Sequence, residues 1–208
     1  MTLHTIQLVA FDIGGVLIRI CRSWKQVFEL AGIPWNPSFG SEEAVQWNQL
    51  YESGQITTDQ LVQHFATLAA DLSAEQLLTL IDQWLIEPYP GTAQLIDQLN
   101  TAGVPTACLS NTNERHWQTM ATTARFAAIQ ALNTQIASHL VQVMKPKPGI
   151  YEALERETGL SGASILYFDD FDINITAALD RGWHAYRIDH AADTTAQMTQ
   201  HLREHQVI

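Results

Sequence analysis

Val9-Ala10-Phe11-Asp12-Ile13-Gly14-Gly15-Val16-Leu17 is an apolar run interrupted by one carboxylate and two glycines. Ile6 to Asp12 reads as a buried strand, and the glycines read as a tight turn directly after it. Asp12 is thereby placed at the C-terminal edge of a sheet, where open α/β folds set their ligands. Gly14 and Gly15 let the backbone approach whatever Asp12 touches. An Asp in this setting can equally do no more than hydrogen-bond its own turn. What lies downstream decides between the two.

Beyond Pro88-Tyr89-Pro90-Gly91 the chain alternates helix and strand. A helix over Thr92 to Thr101 stops at Gly103. Val104 to Leu109 is a buried strand with a proline near its start, where a missing donor is tolerated. It closes in Ser110-Asn111-Thr112-Asn113, and helical character follows through Met120. Gln135 to Ser138 reads as a short strand. Lys145-Pro146-Lys147-Pro148-Gly149 precedes a helix over Ile150 to Glu157. Ile165 to Phe168 is an unbroken apolar strand that closes in Asp169-Asp170. A helix from Asn174 to Arg181 and a strand from His184 to Ile188 end the series. Such alternation predicts an α/β fold, a doubly wound parallel sheet wrapped by helices.

The stretch between the first strand and this series has a different period. Trp24, Val27, Phe28, Leu30 and Ala31 form a helical stripe ended by Gly32 and Pro34. Ser41 is placed to cap a second helix that runs to Gly54, and a third spans Thr58 to Ala70. Ser73 and Gln76 have capping-box spacing ahead of a fourth helix, Leu77 to Ile86. Nothing here reads as a strand of a parallel sheet. The expected organisation is a core built from residues 1–20 and 88–208, with an all-helical insert at 21–87.

Composition narrows the function classes. With 46% hydrophobic and 16% charged residues, the 208-residue chain has ample material for a globular core. A net charge of -11 without a basic stripe argues against nucleic acid or an anionic membrane as partner. A small anionic substrate stays compatible, because a bound cation reverses the local field. Cys21 and Cys108 are far apart, each in or beside an apolar run, and two thiols make no metal framework. Together with the lack of a basic N-terminal segment or a long apolar span, this predicts a reduced, cytoplasmic setting.

Three strands therefore end in polar residues: Asp12, Ser110 and the pair Asp169-Asp170. Parallel strands bring these ends to one edge although they are far apart in sequence. Neighbours on a strand face opposite ways, so Asp169 and Asp170 share one site only if the chain turns between them. Three carboxylates within a few ångströms raise each other's pKa unless a cation intervenes. Oxygen ligands alone suit Mg²⁺, bound through carboxylates and a substrate phosphate. Ser110 either opens the turn or hydrogen-bonds phosphoryl oxygens beside a helix N-terminus. Lys145 is either a solvated loop lysine or a point charge for a phosphate and the attacking carboxylate. Asn174 either caps its helix or holds the lysine and the acidic pair in register. Asp172 reads as solvated. His116, about a turn after Ser110, is a minor candidate for the site.

Phe-Asp12-Ile-Gly-Gly-Val, Leu-Ser110-Asn111, Lys145-Pro and Tyr-Phe-Asp169-Asp170 followed by Asn174 resemble, in this order, the motifs of the haloacid dehalogenase-like (HAD) hydrolase superfamily. The resemblance covers nearly the whole chain, and Leu109 to Asn113 with Phe168 to Asp170 look most like the bacterial sugar-phosphate phosphatase branch. It implies a Rossmann-like core and makes the helical insert a cap that closes over the site. It also implies that Asp12 is a nucleophile that forms an aspartyl-phosphate. Mg²⁺ would be bound by Asp12, the Gly14 carbonyl and Asp170, with Asp169 direct or through water. Ser110, Asn111, Lys145 and Gly15 would hold the substrate, with His116 in reserve and Asn174 in support. The implied activity is hydrolysis of a small, sugar-like phosphate.

One departure stands out. Phosphatases of this family usually carry a second Asp, as general acid and base, two residues after the nucleophile, and here that position is Gly14. General acid–base catalysis contributes about 10²–10⁴-fold, or roughly 3–5 kcal/mol of barrier. The departure keeps two alternatives open: the 2-haloacid dehalogenase branch, which also lacks that Asp and works without metal, and a phosphate-ligand binding protein with weakened turnover. Lys147 also stands where an acidic residue is common.

Overall fold

The computed structural model describes residues 6–208. β1, Leu8–Phe11, is buried along its whole length and stops one residue before Asp12. A short strand β2, Ile18–Ile20, leads into four helices: α1 Trp24–Ala31, α2 Glu42–Glu52, α3 Thr58–Leu68 and α4 Ala74–Asp82. β3, Leu85–Pro88, returns antiparallel to β2 and closes the insertion as a two-stranded ribbon. The alternating part then follows: α5 Thr92–Thr101, β4 Thr106–Ser110, α6 Glu114–Thr122, α7 Ala127–Gln130, β5 Thr134–Ala137, α8 Ser138–Val141 and α9 Pro148–Thr158. β6 Ile165–Asp169, α10 Asp172–Asp180, β7 His184–Arg187 and α11 Thr194–Glu204 complete it.

The five long-range strands form one parallel sheet in the order β5-β4-β1-β6-β7. β1 lies at the centre, and successive strands run outward from it first on one side and then on the other. That reversal beside β1 is the crevice in which an α/β sheet accepts a ligand. Residue alternation sorts the two faces. Val9, Phe11, Cys108, Leu166 and Phe168 pack with Leu95, Ile96 and Leu99 of α5, Met120 of α6 and Met198 and Leu202 of α11. Leu8, Ala10, Leu109 and Tyr167 pack on the other face with Ile150, Tyr151 and Leu154 of α9 and Ile175 of α10. The inserted helices have a third core of their own, around Trp24, Phe28, Phe39, Leu61, Phe65 and Leu77.

Local signals account for the inserted helices. Ser23 and Ser41 accept from backbone N–H groups three residues on, and the pairs Thr57–Gln60 and Ser73–Gln76 form reciprocal capping boxes. Three expectations need correction. α4 stops at Asp82 rather than at Ile86, because Cys21 N–H donates to Trp84 O at 2.9 Å and draws the chain into the β2–β3 ribbon. The boundary expected at 87/88 thus falls inside β3. The strand expected from Val104 starts at Thr106, since Val104 N–H closes the end of α5 on Leu99 O at 3.0 Å. Finally, the chain does not end its alternation at Ile188: α11 follows, with a stripe of only Met198 and Leu202 buried with Thr194 along eleven residues. Residues 1–5 of the expected core segment lie outside the described residues. Among the described residues no helix is long and apolar enough to cross a membrane.

Candidate active site

Asp12, Ser110 and Asp169 reach one edge because β1 pairs with both β4 and β6. Phe11 is level with Cys108 on one side and with Phe168 on the other. Asp12 N–H donates to Phe168 O at 2.7 Å, which prolongs the β1–β6 ladder into the turn. Asp12 Oδ1 accepts from the Ile13 N–H at 2.6 Å and forms an ion pair with Lys145 Nζ at 2.9 Å. Its Oδ2 has no hydrogen-bond partner among the described residues.

Lys145 enters from the loop before α9 and is buried. Besides Asp12, its ammonium reaches Asp169 Oδ2 at 2.7 Å and Tyr167 Oη at 3.1 Å. Asp169 is fully buried and saturated. Oδ1 accepts from Phe171 N–H at 2.8 Å and from Asn174 Nδ2 at 3.0 Å, and Oδ2 also accepts from Tyr167 Oη–H at 2.5 Å. Asn174 thus holds the acidic end of β6. Asn111 does the same for the lysine: its amide donates to Lys145 O at 3.1 Å and accepts from Lys145 N–H at 2.8 Å. Its side chain is committed to the backbone rather than open to a ligand. Burial opposes the Lys145 charge, but the carboxylates of Asp12 and Asp169 outweigh it and hold the ammonium well above its ordinary pKa. Burial lifts Asp12 to about 7; Lys145 pulls it down, and Asp169 and Asp170 push it up.

The chain turns at once after β6, so Asp170 joins the same site. Ligand-capable oxygens of Asp12, Asp169 and Asp170 lie within 4.8 Å of one another. Arg22, at the entry to the helical insert, pairs with Asp170 Oδ2 at 2.6 Å. Asp170 Oδ1 is buried with no partner. Burial raises this carboxyl against the pull of Arg22. Three carboxylates therefore meet two cations, Lys145 and Arg22, which leaves one negative charge over. An all-oxygen, buried, net-negative donor set with an orphaned oxygen fits a hard divalent cation. Gly15 has φ +83, and a β-carbon there would run into the Asp170 carboxylate and the Arg22 guanidinium. Its N–H donates to Ile18 O at 2.8 Å and is taken by the turn.

Ser110 is 3% exposed and lines a cavity of about 110 Å³ between the sheet edge and the helical insert. Ile13, Gly14 and Ile20 form its floor with the Ser110–Asn113 loop, and Trp24, Asn48, Glu52, Ile81 and Trp84 come from the insert. His116 also lines it, yet both ring nitrogens are committed. Asn113 Nδ2 donates to Nδ1 at 3.0 Å, so Nε2 carries the proton and donates to Ile81 O at 2.6 Å. Burial keeps the ring neutral. His116 is thus a pin between α6 and the end of α4. Asp172 is exposed as expected, 3.4 Å from Arg187 Nε.

Three residues escape the sequence reading. Tyr167 carries a legible signal, since strand alternation puts it on the face of Asp169. Glu52 carries a weaker one, an acid ending a helix whose dipole disfavours it there. Arg22 carries none, because its partner is 148 residues away.

A parallel sheet ending in carboxylates, with helices inserted after its first strand, is the architecture of one class of hydrolase. The haloacid dehalogenase-like hydrolase family matches residues 6–180, and the chain belongs to it. Phosphatase MT3486 of Mycobacterium tuberculosis is 24% identical over 203 residues, covering 91% of this chain and 90% of that protein. (S)-2-haloacid dehalogenase 2 of a Pseudomonas species is 24% identical over 211 residues, covering 94% and 89%. Acyl-CoA dehydrogenase family member 10 of Mus musculus is 23% identical over 87% of this chain, which spans only 18% of that protein's length. A HAD family enzyme of Bacteroides thetaiotaomicron, crystallised with magnesium and inorganic phosphate, superposes with a TM-score of 0.78 at 23% identity, over 92% of this chain and 98% of that one. A HAD-like hydrolase of Porphyromonas gingivalis gives 0.81 at 23% identity, over 96% and 98%. The likeness to these structures carries the fold.

Proposed function

We propose that this hydrolase is a Mg²⁺-dependent phosphomonoesterase acting on a small phosphorylated metabolite with a sugar-like leaving group. The observation that carries the reading is Asp170, a buried third carboxylate whose Oδ1 has no partner. A dehalogenase that works without metal has no use for it, whereas a cation bridging to a phosphate does. Asp12, Asp170 and the Gly14 carbonyl would hold the cation, with Asp169, already saturated by four donors, behind them. When bound, the cation supplies charge neutralisation to the carboxylates and to the phosphoryl group.

The chain's own residues supply the rest. Asp12 is the nucleophile, since its Oδ2 is unencumbered while Oδ1 is fixed by the Ile13 N–H and Lys145. Lys145 pulls Asp12 toward its ionised form against burial and offers positive charge to the transferring phosphoryl, the kind of preorganised electrostatics on which phosphoryl transfer depends. Ser110 hydrogen-bonds the phosphoryl oxygens, and Asn111 acts through the lysine it holds. The helices of 21–87 act as a cap whose indoles, Trp24 and Trp84, face the leaving group. Trp84 Nε1 is buried without a partner and is the donor available to a substrate hydroxyl.

The test is an aryl phosphate assay with and without Mg²⁺, on wild type and on Asp12→Asn. Wild type should release phosphate only with metal, and Asp12→Asn should lose all but a few per cent of that rate while keeping its melting temperature. Metal-independent turnover, or substantial activity in Asp12→Asn, would remove this reading. Halide release from a 2-haloacid would install the dehalogenase instead.

A further inference from the structure

Gly14 cannot donate a proton, and His116 has its only ring proton committed to Ile81 O. One acidic side chain remains in the cavity. Glu52, the last residue of α2, lines it together with Gly14, Ser110 and Asn111. Three features give it a fixed place there. Its carbonyl accepts from Ser138 Oγ–H at 2.5 Å, and the same hydroxyl accepts from Thr112 N–H at 2.9 Å, so the end of α2 is tied to the loop after Ser110. Asn48 Nδ2 donates to Glu52 Oε1 at 3.1 Å and sets the rotamer. Oε2 has no hydrogen-bond partner among the described residues. We propose that Glu52 is the general acid and base of this enzyme, supplied by the helical insert in place of the side chain that Gly14 lacks.

The proposal rests on the phosphomonoesterase reading and completes its chemistry. In the first step Asp12 Oδ2 bonds to phosphorus as the bond to the ester oxygen breaks. The proton on Glu52 Oε2 passes to that oxygen, which leaves as an alcohol. In the second step water attacks phosphorus and gives its proton to the Glu52 carboxylate, the bond from phosphorus to Asp12 breaks, and inorganic phosphate forms. Both proton states must be accessible near neutral pH. Burial lifts the Glu52 carboxyl to about 7 against the single opposing hydrogen bond from Asn48. No charged neighbour adds to that shift or offsets it. His116 and His139 are held toward neutrality by burial, Lys145 is paired with two aspartates, Arg22 with Asp170 and Arg115 with Asp82, while Glu114 is exposed and Lys25 is exposed on the outer cleft that Glu52 also lines.

Glu52→Gln separates this role from a structural one, because the amide keeps the shape and the Asn48 neighbourhood but holds no transferable proton. Wild type and variant are compared on an alkyl phosphate and an aryl phosphate, both with Mg²⁺, in steady state and in a rapid-mixing burst. The alkyl ester should lose about 10²-fold or more in kcat, and the decline in wild-type rate above neutral pH should vanish. The aryl ester needs no proton to leave, so the variant should release one equivalent of phenol in a burst and then turn over slowly as the aspartyl-phosphate waits for its base. Equal loss on both esters without a burst, or no loss at all, would overturn the assignment while leaving the phosphatase reading standing. A wild type inactive on both esters would overturn both. If Glu52→Gln melts early, Glu52→Asp is decisive on the same ratio: a shorter acid should recover part of the alkyl rate, and failure to do so would count against the proposal.

Discussion

The Cδ1 of Ile20 lies 2.8 Å from where a β-carbon on Gly14 would stand. Gly14 does not have a left-handed φ, so it is a neighbour's side chain, and not the backbone, that keeps the position bare. The neighbour is the flexible end of an aliphatic chain and can shift. Gly14→Asp should therefore fold, with an overpacking cost of about 1–3 kcal/mol. Gly14→Asp/Ile20→Ala should relieve the clash. With Glu52 already supplying the proton, the double variant should gain little on either ester. In a Glu52→Gln background it should restore part of the lost alkyl rate. Melting temperature and the two-ester ratio measure both halves, and a well-folded triple variant with no recovery on the alkyl ester would show that an acid at position 14 cannot replace Glu52.

Metal linkage follows from Asp170. Mg²⁺ at a hundred times its Kd should stabilise the wild type by about 2.7 kcal/mol, seen as a rise in melting temperature. Asp170→Ala should abolish that rise and weaken Mg²⁺ in calorimetry, because the remaining carboxylates are held by Lys145. An unchanged affinity would place the cation elsewhere.

Tyr167→Phe removes the phenol that donates to Asp169 Oδ2. A hydrogen bond to a charged group is worth about 1.5–3 kcal/mol, and that loss should register in chemical denaturation with the m-value unchanged. Asp169 keeps Lys145 and Asn174 as partners, so Mg²⁺ affinity should fall less than in Asp170→Ala. A variant as stable as wild type would mean that water replaces the phenol.

The pH dependence of stability has a definite sign at Glu52. Its carboxyl goes from 4.5 to about 7 on folding, so the native state holds the proton more tightly than the unfolded chain. Its contribution to stability is complete below about pH 4.5 and is lost as pH rises towards 7. Glu52→Gln removes that loss. The variant should match or exceed wild type at pH 8 and show no such advantage at pH 5 in parallel melts; the reverse order would mean that the carboxylate form is the one the fold prefers.

Asp12, Ser110 and Asp169 are legible in the sequence for one physical reason. Each closes an apolar run, and a parallel sheet sends every such end to one edge. The capped helices of the insert are legible because capping is local. The β2–β3 ribbon is not, since its two short strands are only partly buried and find each other across the whole insert. α11 hides for want of apolar residues. Asn111 and His116 line the cavity beside Ser110, but their polar atoms are taken, one by Lys145's backbone and the other by Ile81 and Asn113. Sequence reveals proximity to a site more readily than it reveals which atoms remain free.

The sheet order also governs when the site comes into being. β1 carries Asp12 at the start of the chain, but its two partners are β4, made only after the helical insert, and β6, made after β5. Long-range parallel pairings form slowly. Until β6 has crossed back past β4 and docked on β1, Asp12 and Asp169 are dispersed carboxylates with water around them, while the inserted helices already have local contacts to fold on. Newly made or damaged chains that stall part-way thus have no grip on a divalent cation. Only a finished sheet brings the three carboxylates together, so binding of the proposed cation would report assembly before it took any part in chemistry.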